Sequence, residues 1–273
     1  MNHVVYATFG LSLLADIALM GYADEKPLKE KNMKKITEGV HFIPGQDELI
    51  PDAHVYVIGR PDSGDLSVID AGLMGKGQYK IESMRASGID LNDIKRVIMT
   101  HTHLDHIGCL NEILQELPDA ELWVHTNEAA LLEEGDDRVV YGMDMFKAMC
   151  QAQYGIQPGA FKYKVDRKLE GGDTLELGGI TWEVLHVPGH SGGSIALYDR
   201  EGRVLIPGDV VYSDFAIGRF DLFGASGAQH RDSLFALAEL DVDVLLPGHN
   251  SIMEQVPAGY ILETARQWEP YLS

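Results

Sequence analysis

The fold is indicated most clearly by a short histidine-rich stretch, His101-Thr102-His103-Leu104-Asp105-His106. It directly follows Arg96–Thr100, whose continuous apolar centre predicts a strand that is covered on both faces. Side chains alternate along an extended loop, so the first two histidines can point to one side while Asp105 and His106 reach a neighbouring site. Imidazole and carboxylate groups are the ligands of zinc and similar metals. The stretch therefore predicts a metal site at the end of a buried strand.

Three later strand ends carry further candidate ligands. His190 (VPGHSGGS), His249 (LPGHNS) and Asp209 each follow a Pro-Gly pair, and the glycine allows close approach of the backbone. Together with the first stretch they make too many ligands for one tetrahedral site, but they suit two metal ions bridged by a carboxylate. His54 and His186 are candidates to line the site or to support a ligand.

Charge and cysteine content narrow the classes of partner. The 273 residues contain 22 Lys and Arg against 42 Asp and Glu, which gives a formal net charge of −20. Nucleic acids and anionic membranes require basic surfaces, so we expect a small-molecule substrate, no nucleic acid and no stable membrane insertion. The two cysteines, Cys109 and Cys150, are predicted to be buried free thiols, and the metal ligands must therefore be other residues.

The N-terminal segment, residues 1–34, differs from the rest of the chain. An apolar run, Ala7–Met20, precedes a polar linker and is shorter than the roughly 20 residues of a membrane span. We interpret it as a helix that packs on the domain or on a second subunit, which leaves a homodimer open. The alternatives are a secretory signal and an artificial extension ahead of a natural start at Met33. We expect a cytoplasmic protein, with secretion through this segment as the alternative.

Residues 35–273 are predicted to form one catalytic domain. Ala53–Gly59 and Leu66–Asp70 read as a hairpin, and apolar residues at helical spacing predict a helix from Ile107 to Leu117. From Thr174 onward the pattern is mostly β. Strands and helices occur in both halves, which predicts an α/β (α+β) domain with sheets inside and helices outside.

These motifs together resemble the metallo-β-lactamase superfamily. HTHLDHIG is followed by VPGH, PGD and LPGH in that order, and the resemblance covers roughly Lys35–His249. It implies an αββα sandwich of two mixed β-sheets, with the metals at one edge between them. The implied roles are a first metal site of His101, His103 and His190, a second of Asp105, His106 and His249, a bridging carboxylate from Asp209, and support of the ligand loop by Asp70.

The ligand set also indicates which branch of the superfamily the chain resembles. It is similar to that of glyoxalase II thioesterases, N-acyl homoserine lactonases and RNase Z enzymes, whereas the β-lactamases proper generally lack the bridging aspartate. The negative charge disfavours RNase Z. Tyr212, three residues after Asp209, matches the site tyrosine of the lactonases, while GRFDL (218–222) resembles a loop of glyoxalase II-like proteins. The implied cofactors are two divalent metal ions, zinc first, with iron or manganese as alternatives.

The resemblance implies a promiscuous dinuclear hydrolase. A metal-bridging hydroxide would attack the carbonyl of a lactone, ester or thioester, with the lactonase-like activity favoured. Asp105 is the candidate proton shuttle and Tyr212 the candidate donor to the oxyanion. The alternatives are hydrolysis of phosphodiesters or phosphotriesters, hydrolysis of β-lactams, and, less favoured, an iron-dependent redox reaction.

Two segments between the motifs are candidate walls of a substrate pocket. Tyr141–Tyr154 would offer a flexible apolar surface on a helix, either as a lid or as a packing helix of the core or of a dimer. Tyr212–Ser226 is the second candidate. The predicted pocket residues are Met143, Met145, Phe146, Met149, Phe215 and Phe220.

Overall fold

Two β-sheets pack face to face, with helices on both outer surfaces. The computed structural model describes residues 33–46 and 50–273, so the predicted N-terminal helix lies outside the described residues. The first sheet holds β1–β7 in chain order, and the second has the order β12-β11-β10-β9-β8. This arrangement confirms the predicted αββα sandwich.

The strands of the first sheet are β1 (Lys34–Thr37), β2 (Val40–Ile43), β3 (Val55–Ile58), β4 (Leu66–Ile69), β5 (Ile94–Ile98), β6 (Glu121–His125) and β7 (Arg167–Leu169). Those of the second sheet are β8 (Thr174–Leu177), β9 (Ile180–His186), β10 (Ile195–Asp199), β11 (Val204–Gly208) and β12 (Val244–Pro247). β1 to β4 are antiparallel neighbours, whereas β4 to β7 run parallel. The first sheet is therefore mixed, and so is the second, because β11 and β12 are parallel there.

The helices are α1 (Gly77–Ala86), α2 (Leu104–Ile107), α3 (Leu110–Glu116), α4 (Thr126–Glu134), α5 (Arg138–Tyr141), α6 (Asp144–Tyr154), α7 (Gly227–Ala238) and α8 (Tyr260–Trp268). Among the described residues, no helix is long and apolar enough to cross a bilayer.

Three apolar clusters hold these layers together. The central one joins the inner faces of both sheets, with Trp182 of β9 fully buried opposite residues such as Tyr56 of β3. The second lies between the first sheet and α1 to α6, and the third lies between the second sheet and α7 and α8. Cys109 and Cys150 are buried free thiols, as predicted.

One local prediction was wrong. The helix expected from Ile107 to Leu117 is broken into α2 and α3 around Gly108. The Cys109 amide donates to the carbonyl of Gly72 at 3.0 Å, outside the helix. A Cβ at Gly108 would lie 2.7 Å from the amide nitrogen of Met74, so glycine is required where the chain passes this close to the neighbouring loop.

Candidate metal centre

The ends of several parallel strands place the predicted ligands at one edge of the sandwich. β4 and β5 run parallel, so Asp70 and the loop from His101 emerge at the same edge. In the second sheet β9, β11 and β12 share one direction, because β10 is antiparallel to both β9 and β11. His190, Asp209 and His249 follow these three strands. The topology therefore brings together residues that are more than 140 positions apart in the sequence.

Three histidines form a first group, whose ligand atoms lie within 4.8 Å of one another. His190 Nε2 is 2.8 Å from His103 Nδ1 and 3.1 Å from His101 Nε2. The other ring nitrogen of His190 donates to the carbonyl of Arg219 at 2.7 Å, which leaves a lone pair on Nε2. Burial lowers the pKa of His103 to about 3 and also lowers the pKa values of His101 and His190. The three rings are therefore neutral at pH 7, and the ring nitrogens that face one another can all act as metal ligands.

Asp105, His106, Asp209 and His249 form a second group of four. His249 Nε2 lies 3.0 Å from Asp105 Oδ2 and 3.5 Å from Asp209 Oδ2. Asp209 Oδ1 lies 3.2 Å from His106 Nε2, and its Oδ2 lies 3.6 Å from Nε2 of His190 in the first group. Asp209 thus contacts both groups, as a bridging carboxylate would.

Asp70 fixes the orientation of the ligand loop. Its carboxylate accepts from the Thr100 amide at 2.7 Å, from the Thr100 hydroxyl at 2.8 Å and from His106 Nδ1 at 2.9 Å. Because Nδ1 of His106 donates to Asp70, its Nε2 faces Asp209 and is the nitrogen that can bind a metal ion. The Thr100 hydroxyl also lies 3.2 Å from Nδ1 of His101, so one carboxylate orients two of the histidines.

The glycines that precede the later ligands make the close approach possible. A Cβ at Gly248 would lie 2.1 Å from Asp209 Oδ1. Gly208 has a φ of 54°, a left-handed conformation, and a Cβ there would lie 2.8 Å from the Thr100 hydroxyl oxygen. Any larger residue at either position would push the ligand groups apart.

The donor set fits divalent cations. In the described part of the chain, His106 Nε2 and Asp209 Oδ1 are buried without a hydrogen-bond partner, although they face each other. Because the other nitrogen of His106 donates to Asp70, either a proton on Nε2 or a metal ion must lie between Nε2 and the Asp209 carboxylate. Burial lowers the pKa of His106, but the charges of Asp209 and Asp70 outweigh burial and raise it well above its ordinary value. Imidazole nitrogen and carboxylate oxygen are donors for zinc, iron and manganese.

A cavity of about 720 Å³ opens onto both groups. Tyr212, which is 9% exposed, lines it with its ring centroid 6.1 Å from that of His249. Burial, together with the nearby charge of Asp209, raises the pKa of Tyr212 well above its ordinary value. The hydroxyl therefore keeps its proton at pH 7, and it lies close enough to Asp209 to donate a hydrogen bond to that carboxylate.

The opposite wall of the cavity is apolar. Its lining comes from α5, from α6 with the residue before it, and from the loop before α7. These lining side chains are Val140, Tyr141, Met143, Phe146, Met149 and Leu222. Three of the predicted pocket residues are among them, namely Met143, Phe146 and Met149.

The other three predicted pocket residues lie elsewhere. Met145 is 78% exposed, because the rotation of about 100° per residue along a helix turns it away from Phe146. Phe215 stacks on Tyr260 with ring centroids 4.8 Å apart, and Phe220 packs against the outer core of the second sheet. These three residues therefore do not line the cavity.

The two other candidate histidines, His54 and His186, differ in where they lie, and two further groups hold the metal-ligand histidines in place. His54 lines the cavity and its Nε2 donates to the carbonyl of Asn250 at 2.6 Å, whereas His186 does not line it. Sequence reasoning missed Thr100 and the carbonyl of Arg219. The hydroxyl of Thr100, directly before the ligand loop, was a usable signal, but a main-chain carbonyl leaves none in the sequence.

Comparisons with known proteins identify the protein superfamily to which this chain belongs. The profile of the metallo-beta-lactamase superfamily matches residues 52–249, and the chain belongs to this superfamily. It is accordingly a metal-dependent hydrolase by family. A crystal structure of TTHA1623 in a di-iron-bound form has 25% sequence identity and a TM-score of 0.60, covering 81% of this chain and 97% of that one.

Two curated relatives have named activities. The acyl-coenzyme A thioesterase MBLAC2 of Gallus gallus is 34% identical over 160 residues, which is 56% of this chain and 55% of that protein. The hydroxyacylglutathione hydrolase GloC of Haemophilus influenzae is 31% identical over 161 residues, 59% of this chain and 67% of that protein. The chain thus spans between about half and two thirds of the length of these relatives.

Proposed function

We propose that the protein is a two-metal hydrolase acting on the carbonyl of a lactone, ester or thioester that carries an apolar acyl group. The observation that carries the proposal is the cavity, which joins both ligand groups and Tyr212 to an apolar wall. Among these substrates we favour a lactone or another neutral ester.

The metal-binding part of the proposal assigns a role to each group. His101, His103 and His190 would hold one ion, Asp105, His106 and His249 the other, and Asp209 would bridge them. When bound, the ions supply Lewis acidity and lower the pKa of a water molecule toward neutrality. Zinc suits this mixed nitrogen and oxygen donor set best. The di-iron-bound TTHA1623 supports iron as the alternative.

Two side chains would handle the developing charge and the proton. Tyr212 lies beside His249 and stays protonated at pH 7, so its hydroxyl can donate to the oxyanion that forms at the carbonyl. Burial raises the pKa of Asp105, but the hydrogen bond from His249 and the charges of the neighbouring histidines lower it to about 2. Asp105 is therefore an ionised acceptor that can pass a proton to the leaving group.

The apolar wall would select the acyl side of the substrate. Met143 and Phe146 are only partly exposed at the cavity, and Met149 is 45% exposed at its rim. Burial of each methylene group contributes about 0.8 kcal/mol. A chain of several methylenes laid along this wall would therefore be favoured over a short polar acyl group.

The charge around the cavity favours a neutral leaving group. Apart from histidines, Arg219 is the sole basic side chain among the described residues that line it. Its guanidinium already forms two hydrogen bonds of 2.9 Å with Asp221. Coenzyme A and glutathione are anionic, and apart from the metal ions they would meet little free positive charge here. The names of the two relatives favour a thioester instead, and a panel of substrates separates these possibilities.

The test is a substrate panel on protein that has been stripped of metal and reloaded with Zn²⁺. It compares an N-acyl homoserine lactone of medium chain length, S-lactoylglutathione, an acyl-coenzyme A and a nitrophenyl phosphodiester. We expect the highest kcat/KM for the lactone, by at least about tenfold. A thioester as the best substrate would overturn the preference for a neutral leaving group. A phosphodiester as the best substrate would overturn carbonyl hydrolysis altogether.

A further inference from the structure

A buried carboxylate on α4 lies behind the three-histidine group and has no part in the proposed reaction. Glu128 is 2% exposed and lies in the first turn of the helix. Its contacts in the described part of the chain are hydroxyl and amide donors rather than cations. Burying an ionisable group in this way is costly, so it calls for a structural or functional reason.

The two carboxylate oxygens of Glu128 hold two different loops. Oε2 accepts from the hydroxyl of Thr102 at 2.8 Å, and Thr102 stands between His101 and His103. Oε1 accepts from the hydroxyl of Ser191, the residue after His190, and from the amide of Gly193 at 3.2 Å. One side chain thus ties the loop with two of the histidines to the loop with the third.

The packing around this clamp leaves little freedom. A Cβ at Gly193 would lie 2.6 Å from Cγ of Glu128, so the second loop passes directly over the carboxylate. The neighbouring Asn127 donates from its amide nitrogen to the carbonyl of Gly192 at 2.9 Å. Ser191 also shares a hydrogen bond of 2.8 Å with the hydroxyl of Ser194. The separation of the two loops is therefore set from α4.

We propose that Glu128 is a positioning residue for the three-histidine group, and that it selectively raises the affinity of that group for its metal ion. The group itself consists of neutral rings and brings no negative charge, unlike the second group with Asp105 and Asp209. The carboxylate keeps the two loops at the spacing at which one ion meets all three nitrogens, and its charge offsets part of the charge of the ion. This inference rests on the metal-binding part of the proposed function.

The test measures Zn²⁺ affinity on the metal-stripped full chain, by competition with a chromogenic chelator. A background of His249→Ala weakens the second group, so the tight ion reports on the three histidines. A background of His190→Ala does the reverse. We expect Glu128→Ala to weaken Zn²⁺ binding about 10- to 100-fold in the first background and less than about threefold in the second.

Three further variants separate geometry from charge and provide a control for misfolding. Glu128→Gln can still accept from Ser191 and Gly193 with its oxygen and donate to the Thr102 hydroxyl, but it lacks the charge, so we expect an intermediate loss. Thr102→Val removes one donor and keeps the side-chain shape, and we expect the same direction of change. Glu133→Gln is the matched control on α4, because Glu133 pairs with Lys168 at the surface. It should bind like the parent.

The outcomes distinguish this inference from the proposed function. If Glu128→Ala and Glu128→Gln weaken both backgrounds equally, or neither, the positioning role is contradicted while the two-metal function stands. If the unaltered protein takes up no Zn²⁺, the proposed function itself fails. A selective loss in the three-histidine background supports the role, because a general loss of stability would not discriminate between the two groups.

Discussion

The metal-facing end of the cavity and its apolar wall are built in different ways. At the metal end, buried side chains follow strand ends and are held by contacts such as those of Asp70 with Thr100 and His106. The wall belongs to α5, α6 and a loop, where side chains such as Met149 are substantially exposed. In the proposed function, the strand ends therefore fix the metal ligands, and a peripheral helix supplies the surface that selects the substrate. Changes at the metal end should slow every substrate, whereas changes in the wall should alter the ranking of substrates.

The largest effect is expected for Asp209→Ala. This carboxylate contacts both ligand groups, so its loss should remove one metal ion and lower kcat/KM about 1000-fold for all substrates, since metal stabilisation contributes several kcal/mol. Elemental analysis and steady-state kinetics check this. Asp232→Ala, which removes a surface carboxylate on α7, should leave both quantities unchanged. Full activity of Asp209→Ala would count against the bridging role.

Tyr212 lies where the metal-facing end of the cavity meets the apolar wall, and Tyr212→Phe should have a smaller effect. Loss of the hydroxyl should lower kcat by about tenfold or more, with KM and metal content little changed, because the hydrogen bond is used in the transition state. Tyr271→Phe is the control, since Tyr271 is 69% exposed. An unchanged kcat for Tyr212→Phe would make this tyrosine a structural residue.

The smallest effect is expected in the wall, for Phe146→Ala. In the parent, kcat/KM should rise about threefold to fourfold for each methylene added to the acyl chain of a lactone series. The variant should flatten this dependence and leave short-chain substrates nearly unaffected. Met145→Ala lies on the solvent side of the same helix and should retain the slope of the parent. An equal loss of kcat/KM for short-chain and long-chain substrates would show that the wall does not recognise the acyl group.

The difference between the metal-facing end and the apolar wall also explains which parts of the site can be predicted from the sequence. The loop from His101 to His106 is recognisable because its ligands are adjacent in the chain, and His190, Asp209 and His249 because each follows a strand and a Pro-Gly turn. Local chemistry and strand topology together account for why the structure brings them into two groups.

The wall is less predictable because it depends on tertiary rotation rather than on spacing. Met145 and Phe146 are neighbours in the sequence, yet only Phe146 lines the cavity. Phe215 has a φ of 56° and stacks on Tyr260. A phenylalanine in the sequence does not predict this left-handed backbone conformation. Glu128 is one glutamate among many until the fold brings Thr102 and Ser191 to it.

The central claim, a two-metal hydrolase, is tested most directly by titrating metal-stripped protein with Zn²⁺ while measuring hydrolysis of an N-acyl homoserine lactone. The structure predicts that activity rises with added metal and reaches its plateau at about two equivalents per chain, one for each ligand group. A plateau at one equivalent, or activity that does not depend on added metal, would contradict the account.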